Sequence, residues 1–278
     1  MTERDPATIW TPPEASGGSP SRRRLEGRRI LVVGAGTQPC DDPDAPLGNG
    51  RAIAVLCARE GAAVACADRD EAAARDTAQR IASDGSRAAV VVADVTDEAA
   101  CARVVADAET ALGGLDGIVV NVGIGYGRGL EGTDVNMWDT TFAINLRAHF
   151  LVARAALPRL QPGAAIVFVS SIAGIRPGTG IPAYDASKAG LAGLCRHVAF
   201  EGARRGVRAN LVVPGLIDTP LGRLASRGRP SRATTAVPLG RQGTAWEVAY
   251  ATVFLLGGES SYITGQQLVV DGGLSSLR

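Results

Sequence analysis

The stretch Ser171-Ile-Ala-Gly-Ile-Arg-Pro-Gly-Thr-Gly-Ile-Pro-Ala-Tyr184-Asp-Ala-Ser-Lys188 organises the chain. Just ahead of it, Ala165-Ile-Val-Phe-Val169 is an unbroken apolar run, the pattern of a buried strand. At its far end Tyr184 and Lys188 stand four residues apart, where an apolar, helix-like stretch begins. That spacing puts phenol and ammonium on one helix face. A free tyrosine has a pKa of about 10. A neighbouring cation favours the phenolate and lowers that value, which makes the tyrosine a usable general acid–base. A serine brought opposite it by the preceding strand can hold a substrate oxygen. The trio suits moving a proton on and off an alcohol or carbonyl oxygen.

Upstream, Arg29-Ile-Leu-Val-Val33 reads as a strand running into Gly34-Ala-Gly36. Ten residues, 38–47, then separate Thr37 from Gly48-Asn49-Gly50 and a following helix. Without them the chain reads Gly34-Ala-Gly-Thr-Gly48-Asn-Gly50. Glycines there permit a tight turn and close backbone approach, and a helix N-terminus offers unpaired N–H groups to a pyrophosphate. The insert, Gln38-Pro-Cys-Asp-Asp-Pro-Asp-Ala-Pro-Leu47, carries three aspartates and three prolines. Its carboxylates would repel a pyrophosphate, so it is expected to loop outward and leave the phosphate-facing backbone intact. A second strand over 62–67 ends at Asp68, eighteen residues after Gly50. An acid there accepts hydrogen bonds from ribose hydroxyls and repels a 2′-phosphate, which favours NAD over NADP. Arg69 could partly neutralise it, and Asp68 could instead cap the next helix.

Ser171, Tyr184 and Lys188, with thirteen positions from serine to tyrosine, together with the glycine motif, resemble the short-chain dehydrogenase/reductase family. The resemblance covers about residues 28–273. It implies a single Rossmann-like α/β domain, doubly wound, with a seven-stranded parallel sheet and helices on both faces. The alternation of strand-like and helix-like stretches agrees with that. In the family, an aspartate at the end of the third strand holds the adenine amino group and the next residue lies against the ring; these are Asp94 and Val95. Asp94 could equally cap the helix that begins near Asp97. Asn121 and Gly123 match the motif after the fourth strand, with Val122 replacing an alanine. By the same resemblance Asn145, inside a long helix expected over 138–157, would complete a tetrad by bending that helix and supporting a water relay to Lys188. The resemblance also implies that Lys188 binds the nicotinamide ribose. Pro214-Gly215 follow the sixth strand, and Ile217 backbone and Thr219 hydroxyl are implied contacts of the nicotinamide carboxamide. Val33 stands where the family has threonine. Residues 216–243 correspond to the substrate-covering segment, whose Arg223, Arg227, Arg229, Arg232 and Arg241 could meet an acidic substrate group or form a solvated charged loop. A homo-oligomer, tetramer or dimer, is implied as well.

Composition bounds the rest. The chain has 278 residues, 46% hydrophobic but only 4% aromatic, with 35 glycines, which suits close helix-on-sheet packing better than a β-sandwich. A formal charge of +1 gives no reason to expect nucleic-acid or membrane partners. No run is long and apolar enough for a membrane span, and no signal-peptide core opens the chain. Five scattered cysteines without a C-x-x-C point to a reduced compartment and no metal site. His149 and His197 read as packed or surface residues. Residues 1–27, rich in Pro, Ser and charge, read as a disordered tail ahead of a domain over 28–278. The expectation is a cytoplasmic, NAD(H)-dependent oxidoreductase acting on a small secondary alcohol or ketone. Its alternatives are an NADPH-dependent 3-oxoacyl reductase and a non-catalytic nucleotide-sensing protein on the same fold.

Overall fold

In the first strand, β1 (Arg29–Val33), Leu31 and Val33 join one apolar cluster while Ile30 and Val32 join another, and all four are buried. A strand apolar on both sides belongs in the middle of a sheet covered on both faces. The computed structural model, which describes residues 11–40, 42, 44–176, 178–226, 232 and 235–277, places it there. The other strands of the sheet are β2 (Ala63–Asp68), β3 (Ala88–Val92), β4 (Gly117–Val120), β5 (Ala165–Val169), β6 (Arg208–Pro214) and β9 (Gln267–Val270). All pair in parallel, in the order β3-β2-β1-β4-β5-β6-β9. The chain reverses its direction of winding between β1 and β4, which opens a crevice at their carboxyl ends.

Helices α1 (Asn49–Arg59) and α2 (Glu71–Ser83), with α8 (Ala245–Leu256), cover one face. Helices α3 (Glu98–Leu112), α5 (Ala148–Ala156) and α6 (Pro182–Ala203) cover the other. Local chemistry starts several of them. Asp70 accepts from the backbone N–H groups of Ala72 and Ala73, and Asp97 from those of Ala99 and Ala100. Thr244 and Glu247 form a reciprocal capping box on α8, and Pro182 occupies the first turn of α6. The helix expected over 138–157 is not continuous. The α4 segment (Val135–Phe142) widens into a π-type turn over Ala143–Arg147 before α5 resumes, and Asn145 lies in that turn.

One expectation needs correction. Residues 11–27 are packed against the domain rather than disordered. Pro13–Ser16 form a short 3-10 turn, Leu25 is fully buried, and Arg24 pairs with Glu60 at 2.9 Å. Glu60 also accepts from the backbone N–H groups of Arg22 and Arg24. The polar average of the segment conceals one apolar anchor and one buried carboxylate partner. Residues 1–10 of the expected tail lie outside the described residues. Within residues 216–243, β7 (Ile217–Asp218) pairs with β8 (Gly243–Thr244), with α7 (Pro220–Ser226) between them. Arg227 and Arg229 lie outside the described residues.

Candidate active site

Residue Ser171 follows β5 in extended conformation, and its Oγ accepts from the Ala173 N–H at 3.2 Å. Helix α6 carries Tyr184 and Lys188, and Ser171 lies close enough to the Tyr184 phenol to favour its ionised form. The neighbouring Ser170 hydroxyl donates to the Lys188 carbonyl at 3.0 Å, which locks the strand end to the helix. Lys188 is 3% exposed, and its Nζ donates to the Val169 carbonyl at 3.0 Å. Burial pushes its pKa down to about 8.

The Tyr184 phenol pKa is raised in this structure, the opposite direction to the one the sequence pattern suggests. Burial raises the phenol, against the Ser171 hydrogen bond and the charge of Arg232, which pull it down; Asp185 adds to the rise. The Lys188 Nζ lies 5.8 Å from the centre of the tyrosine ring and donates to the Val169 carbonyl.

Asn145 is completely buried. Its amide bonds both backbone groups of Ile124, just past the Asn121-Val122-Gly123 turn, and donates to Ser187 Oγ at 3.0 Å. The Ser187 hydroxyl in turn donates to the Tyr184 carbonyl at 2.9 Å. Ser170 and Ser187 are positioning residues that the sequence reading missed, although Ser187 lies inside the Tyr184–Lys188 motif. His149, one turn after Asn145, is buried against Phe168, and burial holds its pKa well below the usual value.

A groove of about 270 Å³ runs from Asp68, Arg69, Asp94 and Val95, past Gly34, Gly36, Gly48, Asn49, Gly50, Asn121 and Gly123, to Tyr184, Lys188 and Thr219. Asn145, Ser171, Pro214, Gly215 and Ile217 are not among its lining residues. Pro214 closes β6, the Gly215 N–H donates to the Val270 carbonyl, and Ile217 lies in β7. The Asp68 carboxylate accepts from the Gly36 N–H at 2.9 Å and the Asp70 N–H at 3.1 Å, while Asp70 caps α2. Asp94 bonds the backbone and hydroxyl of Thr96, which lowers its pKa, with Arg69 contributing; Asp97 caps α3.

The insert departs after Thr37 and returns at Gly48, whose N–H donates to Thr37 Oγ1 at 3.1 Å. It does not simply project outward: Gln38 and Pro39 line the groove, and Asp42 pairs with Arg223. Its carboxylate finds a cation on the neighbouring segment, which the reading of the insert in isolation omitted. The described arginines of 216–243 all have protein partners: Arg223 with Asp218 and Asp42, Arg232 with Gly222 and Ser226, Arg241 with Glu247.

The glycine loop fits a dinucleotide. A Cβ at Gly50 would stand 1.8 Å from the Gly34 carbonyl oxygen, and one at Gly36 would meet Ala73 at 2.7 Å and Asp68 at 2.8 Å. These glycines let the loop pack closely on itself and on α2, and the N-cap of α1, Gly48, supplies no side-chain cap, so the helix N-terminus is left free to take an anion. Asn49 Oδ1 is buried beside it without a partner among the described residues. Thr77 supports the loop from beneath by donating to the Ala35 carbonyl. Among the described residues no group of His, Cys, Asp or Glu is arranged to hold a metal ion, and no helix is long and apolar enough to cross a membrane.

Comparison with known proteins agrees with this geometry. A family model described as Enoyl-(Acyl carrier protein) reductase matches residues 46–275. The (3R)-3-hydroxyacyl-CoA dehydrogenase of Mus musculus is 36% identical over 265 residues, spanning 91% of this chain and 98% of the relative. The inactive 2-(S)-hydroxypropyl-CoM dehydrogenase 2 of Xanthobacter autotrophicus is 39% identical over 236 residues, spanning 81% of this chain and all (100%) of the relative. A crystal structure of a dehydrogenase/reductase from Sinorhizobium meliloti 1021 superimposes with a TM-score of 0.81 at 32% identity, covering 91% of this chain and 98% of that one. With a seven-stranded doubly wound sheet, a glycine-lined crevice and these relatives, the chain belongs to the short-chain dehydrogenase/reductase family of oxidoreductases.

Proposed function

We propose that the protein is an NAD(H)-dependent oxidoreductase that interconverts a secondary alcohol and a ketone, with Tyr184 as the general acid–base. The observation that carries this reading is that Tyr184 and Lys188 line the same groove as Gly34, Gly36, Gly48 and Gly50, with Ser171 close to the phenol. Gly34, Gly36, Gly48, Asn49 and Gly50 would hold the pyrophosphate. Asp68 would take the adenosine ribose, Asp94 and Val95 the adenine, and Asn121, Gly123 and Lys188 the nicotinamide ribose end. Pro214, Gly215, Ile217 and Thr219 would frame the carboxamide. A bound nicotinamide supplies the hydride acceptor or donor.

The chain's own part is the proton. Ser171 orients the substrate oxygen, and the Tyr184 hydroxyl takes a proton from an alcohol or gives one to a ketone. Lys188, poised near pH 8, can pass that proton on. Asn145 supports the relay by holding the turn on which it lies. The anionic Asp68, fixed by two backbone donors, supports NAD over NADP. Arg69 lines the same groove and favours the second reading, an NADPH-dependent 3-oxoacyl reductase. Val135 and Trp138 on α4, Phe150 on α5 and Phe200 on α6 are exposed apolar residues, which supports a homo-oligomer.

The test follows nicotinamide absorbance with NAD and NADP against secondary alcohols, hydroxy acids and 3-hydroxyacyl-CoA esters, the last because a relative is named for them. Tyr184→Phe is expected to lose turnover by about a hundredfold or more while NADH affinity changes little. Wild-type rates in that variant would rule the mechanism out.

A further inference from the structure

Residue Asp42 belongs to the insert in the glycine loop, and Arg223 to α7, yet their side chains form an ion pair. The same guanidinium grips Asp218 of β7 through two parallel bonds, Nε to Oδ1 at 2.8 Å and Nη2 to Oδ2 at 2.9 Å. With its fork so fixed, Arg223 has Nη1 left to reach across to Asp42 and, at 3.4 Å, to the Asp44 carbonyl. Both tied segments line the groove, Gln38 and Pro39 from the insert and Thr219, Pro220 and Leu221 from the α7 side. The neck of the insert is closed separately by Thr37 and Gly48. The ion pair is therefore not required to shape the glycine turn.

We infer that the Asp42–Arg223 pair is a clasp between two segments that line the cofactor groove, and that while closed it slows the entry and release of a dinucleotide, so that the insert sets the rate of cofactor exchange. The inference rests on the proposal that this groove takes NAD(H). The two side chains are 39% and 35% exposed, so the clasp is screened by salt and opens readily. It slows exchange without sealing the site. Arg223 acts here as a positioning residue for the α7 segment, because it joins that segment to an element more than a hundred and seventy positions earlier in the chain.

The experiment measures NADH release by stopped-flow fluorescence from the full chain, its D42N and R223Q variants and the double variant, at low and high salt. Hydrogen exchange of residues 217–226 is followed without nucleotide. D42N should speed release about 3–5-fold, the scale of one exposed ion pair. Salt should accelerate the wild type towards that rate but leave D42N nearly unchanged. In the R223Q background the Asp42 substitution should add nothing. Residues 217–226 should exchange faster in D42N. Normal NADH binding with release unchanged in D42N, or a D42N effect that persists in full beside R223Q, overturns the clasp alone. A wild-type chain that binds no NADH overturns it together with the functional reading on which it rests.

Discussion

The Ile124 N–H donates to Asn145 Oδ1, and Asn145 Nδ2 donates back to the Ile124 carbonyl, each at 2.8 Å. One buried side chain thus satisfies both backbone groups of a residue in the loop after β4. Through Ser187 the same amide also reaches α6, the helix that carries Tyr184 and Lys188. Three elements of the site are joined at one asparagine.

Replacing Asn145 by leucine keeps the volume but leaves the Ile124 N–H and carbonyl without partners. Each orphaned group costs about 1–3 kcal/mol, so a loss of roughly 2–6 kcal/mol in unfolding free energy is expected. Denaturant titration would show it. A variant as stable as the wild type would mean that the loop finds other partners.

The ammonium of Lys188 is held at a pKa of about 8 against a usual value of 10.5. Between those two values the folded chain binds fewer protons than the unfolded one, so stability rises with pH across that window. The cost of burying the charge is fully present below pH 8 and is lost by about pH 10.5. A shift of this size corresponds to about 3 kcal/mol. Lys188→Met removes that cost but strips the Val169 carbonyl of its donor, for a net gain of ~1–2 kcal/mol at pH 7 together with loss of turnover. The advantage should disappear at pH 10, as read by denaturation at both pH values.

Asp68 faces the groove beside Arg69. Asp68→Ala should reduce the ratio of kcat/KM for NAD over NADP by about tenfold or more, since it removes both the ribose acceptor and the charge that opposes a 2′-phosphate. Steady-state kinetics with both nucleotides measure this. An unchanged ratio would remove Asp68 from cofactor selection.

Leu25 is fully buried in a segment whose composition suggests disorder. Leu25→Ala should cost about 2–5 kcal/mol, the range for a buried leucine. A thermal midpoint within a degree of wild type would show that residues 11–27 contribute nothing to the fold.

The strands of the sheet could be read directly from the chain. A buried parallel strand is a short apolar run, and Arg29-Ile-Leu-Val-Val33 and Ala165-Ile-Val-Phe-Val169 need no distant information to be seen. Strand ends were less legible, because the sheet recruits or releases a residue according to its neighbours: Asp68 joins β2 through its pairing with Val92. The π-type turn at Ala143–Arg147 could not be read from helical periodicity, which continues through it. Short strands such as β7 and β8 carry too few residues for any pattern.

What the sequence alone determined was local. A four-residue spacing set Tyr184 and Lys188 on one face of α6, and small residues at Gly34, Gly36 and Gly50 kept the crevice open beside α1. The tertiary structure decided everything that depends on a partner far along the chain or on the exclusion of water. Asn145 has its partner twenty-one positions away, and the insert meets Arg223 from 181 positions away. The proton affinities of Tyr184 and Lys188 follow from burial, because charge is stable only where solvent or a partner reaches it, and only the folded chain determines where that is.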